Sequence, residues 1–287
     1  MKQFLQIAID AALDAGKAIM RIYNDPNQDF GIERKADNSP LTLADKAAHN
    51  CIVGHLQQTG IPILSEEGAH LPYEERQAWR RLWIVDPLDG TKEFIKKNGE
   101  FTVNIALVED GKPILGVIYV PATGVLYTGI VDEQAAAQAS SKGEAYKIES
   151  GDTHPLPLNG RQDHTFCIVA SRSHLSPETE TFIEEMRQEH KDIRLVSSGS
   201  SLKICLVAEG SADVYPRFAP TMEWDTAAGC RISVDGSLSD IPWSGNCWTV
   251  TTEDKDACGL KITNQDEVDP ACGYQRAYAL SVRCVKK

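Results

Sequence analysis

Small and apolar residues recur at helical spacing from the start of the chain. Phe4, Ala8, Ala11, Ala15, Ala18 and Ile22 share one face, which predicts a helix over 2–23 that ends at Asp25-Pro26-Asn27. The loop Lys35-Ala36-Asp37-Asn38-Ser39-Pro40 leads to a second helix, with Thr42 as N-cap, Asp45 one turn in, and Ala48, Ile52 and Leu56 as its buried stripe. Residues 61–64 predict a short strand running into Ser65-Glu66-Glu67-Gly68, 73–81 a helix-like stretch, and 82–85 a buried strand. The period then changes to that of strands, over 101–108, 114–120 and 125–130. Turn signals of hairpin length, Glu109-Asp110-Gly111-Lys112 and Pro121-Ala122-Thr123-Gly124, separate them into an antiparallel meander.

Residues 134–163 are polar, with Gly and Pro, and read as a linker. Beyond them strands and helices alternate: strand 166–170, helix 177–190, strand 194–197, the capping loop Ser198-Gly199-Ser200-Ser201, apolar helix 202–209 and strand 212–218. In Glu223-Trp224-Asp225-Thr226-Ala227-Ala228-Gly229, Asp225 stands where a helix should begin and reads equally well as an N-cap. The pattern thus predicts an α+β first half, 1–150, and a smaller α/β unit, 151–229. Residues 230–287 are atypical. Gly236 and Pro242 would stop a helix early, and no sustained period is evident over 251–269.

Composition narrows the function. A net charge of −12 over 287 residues excludes a nucleic-acid polymer as partner, because backbone binding needs an extended basic surface, but it leaves room for a small anionic substrate. Hydrophobic residues make up 42%, yet no apolar run reaches the roughly 20 residues of a transmembrane helix, and the N-terminus shows no signal-peptide pattern. The expected location is cytoplasmic. Of the eight Cys, Cys230, Cys247, Cys258, Cys272 and Cys284 crowd the last part of the chain. None forms a C-x-x-C pair, so free thiols are expected and no zinc cluster.

The chemistry centres on Trp83-Ile84-Val85-Asp86-Pro87-Leu88-Asp89-Gly90-Thr91, where an apolar strand ends in a stiff turn carrying two carboxylates. Alone, this is either a surface turn whose acids cap the next helix or a site for a hard divalent cation such as Mg²⁺. Glu66 gains meaning if its strand end lies beside that of Val85, the usual place for a ligand in α/β sheets. Glu66, Asp86, Asp89 and Asp225, with Asp45 and Thr91 in similar contexts, could together bind two or three Mg²⁺ ions. The free N–H groups at Gly90 and Thr91 would cradle a phosphate. Metal-dependent phosphoester hydrolysis is the physical reading.

The stretch W-I-V-D-P-L-D-G-T resembles the first signature of the inositol monophosphatase superfamily, and W-D-T-A-A-G resembles its second, with S-E-E-G upstream. The neighbouring L-D-G-T-K-E-F-I-K-K-N-G-E-F-T-V-N-I-A-L and S-L-K-I-C-L-V-A-E-G-S-A-D-V-Y-P-R-F look closest to the bacterial 3'(2'),5'-bisphosphate nucleotidase branch. The resemblance covers residues 1 to about 229 and implies a layered α-β-α-β-α sandwich. It implies that Glu66, Asp86, Asp89 and the Leu88 carbonyl hold the activating metals, Asp225 a second or third ion, and that Asp45 and Thr91 orient the attacking water. Glu66, Leu88, Asp89, Gly90, Thr91 and Asp225 would also face the substrate, while His174, Ser200, Lys203 and Arg217 hold the nucleotide and its second phosphate. The implied reaction is removal of the 3'-phosphate of 3'-phosphoadenosine 5'-phosphate to give AMP, with Li⁺ inhibition. The alternatives are an inositol or other sugar-phosphate phosphatase, and a non-catalytic binding protein in which the segment behind Asp225 no longer braces it. Peripheral contact with the inner membrane face is compatible with the resemblance, and the oligomeric state is left open.

Overall fold

A computed structural model describes residues 1–26, 30–35, 40–68, 73–131, 143–158, 165–170, 176–217 and 221–235, and short strands at 259–262, 268–271 and 283–284. Helices α1 (Lys2–Asn24) and α2 (Leu43–Leu56) pack as a pair, and Ala8, Ala11, Ala12 and Ala15 are fully buried between them and the sheet. The alanine face lets the two backbones approach closely. A two-stranded ribbon, β1 (Glu33–Arg34) and β2 (Pro40–Leu41), lies between them in sequence.

The main sheet has seven strands in sequence order: β3 (Ile63–Ser65), β4 (Arg81–Asp89), β5 (Thr102–Glu109), β6 (Lys112–Val120), β7 (Val125–Val131), β8 (Gly143–Glu149) and β9 (Asp152–Pro155). Only the β3–β4 pair is parallel. Both faces are covered, so side chains sort by alternation. Trp83, Val85, Val103, Ile105, Leu107, Leu115 and Val117 face α1 and α2, while Ile84, Ala106, Val108, Ile118 and Val120 face the opposite layer. Burial on both faces explains why these strands read as nearly continuous apolar runs.

Two expectations are corrected here. Helix α3 (Tyr73–Arg76) is a single turn, because Arg81 already pairs with Glu109 and draws the chain into β4. The supposed linker supplies β8 and β9, so the sheet runs past residue 150 to Pro155. The edge strand β9 carries no apolar signal because it covers little: all four of its residues are exposed.

A second, parallel pair, β10 (Phe166–Ala170) and β11 (Ile193–Ser197), forms the next sheet. Helix α5 (Pro177–Glu189) covers one face of β10 through Phe182, Ile183 and Met186 on Ile168. The other face receives α6 (Leu202–Ala208), with Ile204 against Cys167 and Val169. The five-residue helix α4 (Thr91–Ile95) follows β4. Of the strand expected over 212–218, the structure keeps a bridge from Val214 to Ile168 and the two-residue β12 (Pro216–Arg217).

The last long helix among the described residues, α7 (Glu223–Asp235), packs with α6 and lies across β4 to β8. Layers of α1/α2, large sheet, α6/α7, small sheet and α5 make the expected α-β-α-β-α sandwich. Its middle helices belong to the second half of the chain but cover the sheet of the first. Helix α7 is described as far as Asp235. Within it Arg231 and Ile232 are buried, so the folded layer extends past residue 229. A hairpin, β13 (Gly259–Ile262) with β14 (Val268–Ala271), and a strand β15 (Arg283–Cys284) parallel to β12 complete the described chain.

Candidate active site

Strand β4 does not stop at Val85. It continues to Asp89 through a bulge: Asp86 pairs with Asn104 and Asp89 with Thr102, so Pro87 and Leu88 face the single residue Val103. A bulge is where a strand accommodates proline, which has no N–H for the ladder, and it re-aims the side chains that follow. Asp86 Oδ1 accepts from Leu88 N at 3.1 Å and braces the kink. Gly90 then takes φ 92°, the left-handed region that favours glycine, and a Cβ there would lie 3.0 Å from Glu100 O and 3.2 Å from Ser200 Cβ. It caps α4, which begins at Thr91.

The parallel β3–β4 pairing carries Glu66 to the same place. Glu66 N donates to Val85 O at 3.0 Å, so its carboxylate emerges beside Asp86 and shares a hydrogen bond with it. The condition set for Glu66 is met. Asp225 approaches from α7, in the first turn rather than as N-cap; its Oδ2 accepts from Thr221 Oγ1 at 2.7 Å and Met222 N at 3.1 Å. Burial and then Glu66, Asp89 and Asp225 push Asp86 well above the ordinary carboxylate range. Burial, followed by Asp89, raises Asp225 to about 6. Glu66 is raised too, chiefly by burial. The four acids therefore converge.

Asp45 and Thr91, expected to orient the attacking water, are in contact. The capping box is present as well: Asp45 Oδ2 accepts from Thr42 N and Oγ1, while Oδ1 accepts from Thr91 Oγ1 at 3.1 Å. Thr91 Oγ1 also lies 3.3 Å from the Leu88 carbonyl. Burial raises the Asp45 carboxyl despite these donors.

At the other end, Ser200 donates to Asp89 Oδ2 at 2.9 Å. Lys203 is not on a solvated helix face. It is buried, donates to Ser200 O at 2.6 Å and lies over the Tyr215 ring at 5.3 Å. Burial and then the Arg217 charge depress its pKa, against Asp89, Glu93 and Glu100, so Lys203 stands near these acids and near Arg217. His174 lies outside the described residues. Lys35, which carried no signal in the sequence, reaches Glu66 and Glu67 at 2.6 Å each. Thr102, Asn104 and Ser201 were also missed. For Thr102 and Asn104 the signal was polarity inside an apolar run, at exposures of 0% and 1%; Ser201, 3% exposed, sits in the polar capping loop and gave none.

Among the described residues no three acidic, histidine or cysteine side chains are set as a ready metal cage. Each acid is turned instead to a protein donor: Glu66 to Lys35 and Asp86, Asp89 to the serines, Asp225 to Thr221. The chemistry of the set nevertheless fits a hard divalent cation. All its donors are carboxylate or carbonyl oxygens, and their mutual repulsion is what an ion between them would relieve.

A sequence model of the inositol monophosphatase family matches residues 1–233. The chain belongs to that family. The match runs a few residues beyond 229, in step with the buried part of α7. The chain is 46% identical to the 3'(2'),5'-bisphosphate nucleotidase CysQ of Escherichia coli O6:H1, over 82% of this chain and 88% of that protein. It is 45% identical to the protein of that name from Salmonella typhimurium, over 84% and 91%. Among solved structures, CysQ from Bacteroides thetaiotaomicron, a bacterial member of the family, superposes with a TM-score of 0.72 and 52% identity, covering 82% of this chain and 86% of that one.

Proposed function

We propose that this chain is a metal-dependent 3'(2'),5'-bisphosphate nucleotidase that removes the 3'-phosphate of 3'-phosphoadenosine 5'-phosphate, leaving AMP. The observation that carries this reading is the joining of two ends of one site. The acids of β3, β4 and α7 meet buried Lys203 and nearby Arg217 through the Ser200–Asp89 contact. A phosphate to be cleaved suits the first end, and a second phosphate suits a point charge beside a guanidinium fork. The 46% identity to a protein named for this activity supports it.

Two or three Mg²⁺ ions would be held by Glu66, Asp86, Asp89, the Leu88 carbonyl and Asp225. When bound, Mg²⁺ offsets the phosphate charge and acidifies water. The protein's own part is orientation. The Thr91 hydroxyl proton is directed at Asp45 Oδ1, which leaves Thr91 Oγ1 as an acceptor for the proton of an attacking water. Asp45 is held still by its capping box. The backbone at Gly90 and Thr91 would seat the phosphate, and His174, Ser200, Lys203 and Arg217 the nucleotide.

The test is phosphate release from 3'-phosphoadenosine 5'-phosphate with Mg²⁺, with and without Li⁺, run beside inositol 1-phosphate. Release from the nucleotide, suppressed by Li⁺ and lost in Asp89→Asn, is expected. Preference for the inositol ester would move the assignment to the sugar-phosphate branch. No release from either would leave a non-catalytic binding protein.

A further inference from the structure

Oδ2 of Asp89 accepts from Ser200 Oγ at 2.9 Å, Ser201 N at 2.6 Å and Ser201 Oγ at 2.6 Å. Such a set forms only if consecutive donors of one turn point the same way. Ser200 achieves this with φ 55°, a left-handed conformation costly for a residue with a Cβ. Gly199 beside it is pinned by Glu100 Oε2, which accepts from its N–H at 3.0 Å.

Behind the turn stands β5. Asn104 Nδ2 donates to Ser201 Oγ at 2.8 Å, and Thr102 Oγ1 lies 2.7 Å from Ser200 Oγ and 3.1 Å from Asn104 Oδ1. The Asn104 donation occupies a lone pair of Ser201 Oγ and so directs its proton elsewhere. Asp89 Oδ2 at 2.6 Å and Asp225 O at 3.1 Å are the acceptors there. Thr102, Asn104 and Ser201 are buried, while Asp89 and Ser200 are half-buried, so a partner lost behind the turn would leave a polar atom without water to replace it.

We propose that Thr102, Asn104 and Ser201 are positioning residues for Asp89. Together with strained Ser200 they form a cradle that holds Oδ2 and so aims Oδ1 at the metal position. The same turn precedes Lys203, whose Nζ bonds to Ser200 O, so the cradle ties the nucleotide end to the metal end. The inference rests on the reading of Asp89 as a metal ligand.

Magnesium binding measured by calorimetry without substrate separates the two. Asp89→Asn should lose the binding heat; unchanged binding there would overturn the ligand reading itself. Given that loss, Ser201→Ala should weaken Mg²⁺ binding about tenfold, the size of one hydrogen bond to a charged group, and Asn104→Ala, which removes the donor behind Ser201, should weaken it in the same direction. kcat should fall at limiting metal and recover at high metal, with KM for the nucleotide changing less. Should either variant fail to fold by circular dichroism, the isosteric Thr102→Val carries the same test. Folded variants that bind Mg²⁺ as the parent does, or that lose only melting temperature, would overturn the cradle.

Discussion

Asp45 serves two partners through two oxygens. Oδ2 closes the start of α2 and Oδ1 receives Thr91. The two roles are separable because they respond differently to loss of charge. In Asp45→Asn the amide keeps one acceptor for the cap, so the stability cost should stay near about 1 kcal/mol. The proton accepted through Thr91 then has no anion behind it, and kcat should fall by about 10²–10⁴. Thermal melting beside steady-state kinetics reads both. A variant that loses stability in proportion to activity would make Asp45 a cap and nothing more. Lys35 belongs at this scale too. Burial opposes its charge, but Glu66 and Glu67 hold it protonated, its pKa above the usual lysine range. A cation in a K-A-D-N-S-P loop gives no hint in sequence of carboxylates some thirty positions on; only the packing of α2 against β3 and β4 brings them together.

Helix α7 bears Asp225, and two glycines decide how closely it lies on the sheet. A Cβ at Gly116 would sit 2.3 Å from Ala228 O, and one at Gly129 would sit 3.0 Å from Arg231 O. Both neighbours are helix backbone, which cannot swing aside as a side chain could. Gly116→Ala should therefore lift the helix, destabilise the chain by about 1–3 kcal/mol, and lower activity more than the melting temperature alone explains, because Asp225 moves with the helix. A variant as active as the parent would show that the placement of Asp225 does not depend on this contact. A second brace holds the same end: Arg76 Nη1 meets Glu223 Oε1 at 2.6 Å, with both side chains largely buried. Arg76→Gln leaves that carboxylate without its cation, so metal affinity as well as stability should drop. Much of this architecture was legible, since alternating runs such as Val103, Ile105 and Leu107 announce a two-sided sheet. Strand β9 was not, because at a polar sheet edge little is buried and no apolar period is required. The continuation of β4 through Pro87 was hidden by the ordinary rule that proline ends a strand, which a bulge suspends.

Across the whole molecule, the acids converge from layers distant in sequence, so their repulsion bears on the stability of the entire fold. Glu66, Asp86 and Asp225 are raised above their unfolded values, chiefly by burial. The folded chain then holds more protons than the unfolded one between about pH 4 and the folded pKa, and stability falls as pH rises through that window. For Asp225, moved from 3.8 to about 6, the contribution is at most about 3 kcal/mol, complete below pH 4 and lost above 6. Exposed pairs such as Lys17–Asp14 and Arg80–Asp110 act in the opposite sense but are screened by solvent. In chelator, the melting temperature should fall between pH 4.5 and 6.5, and Asp225→Asn should flatten that slope. Magnesium at pH 7.5 supplies the missing positive charge and should raise the melting temperature again, by about 2.7 kcal/mol of stability at a hundredfold excess over Kd. Melts in chelator and in Mg²⁺ across this range decide the matter. A flat profile in chelator, or a Mg²⁺ response undiminished in Asp89→Asn, would mean that the converging carboxylates are not what the metal binds.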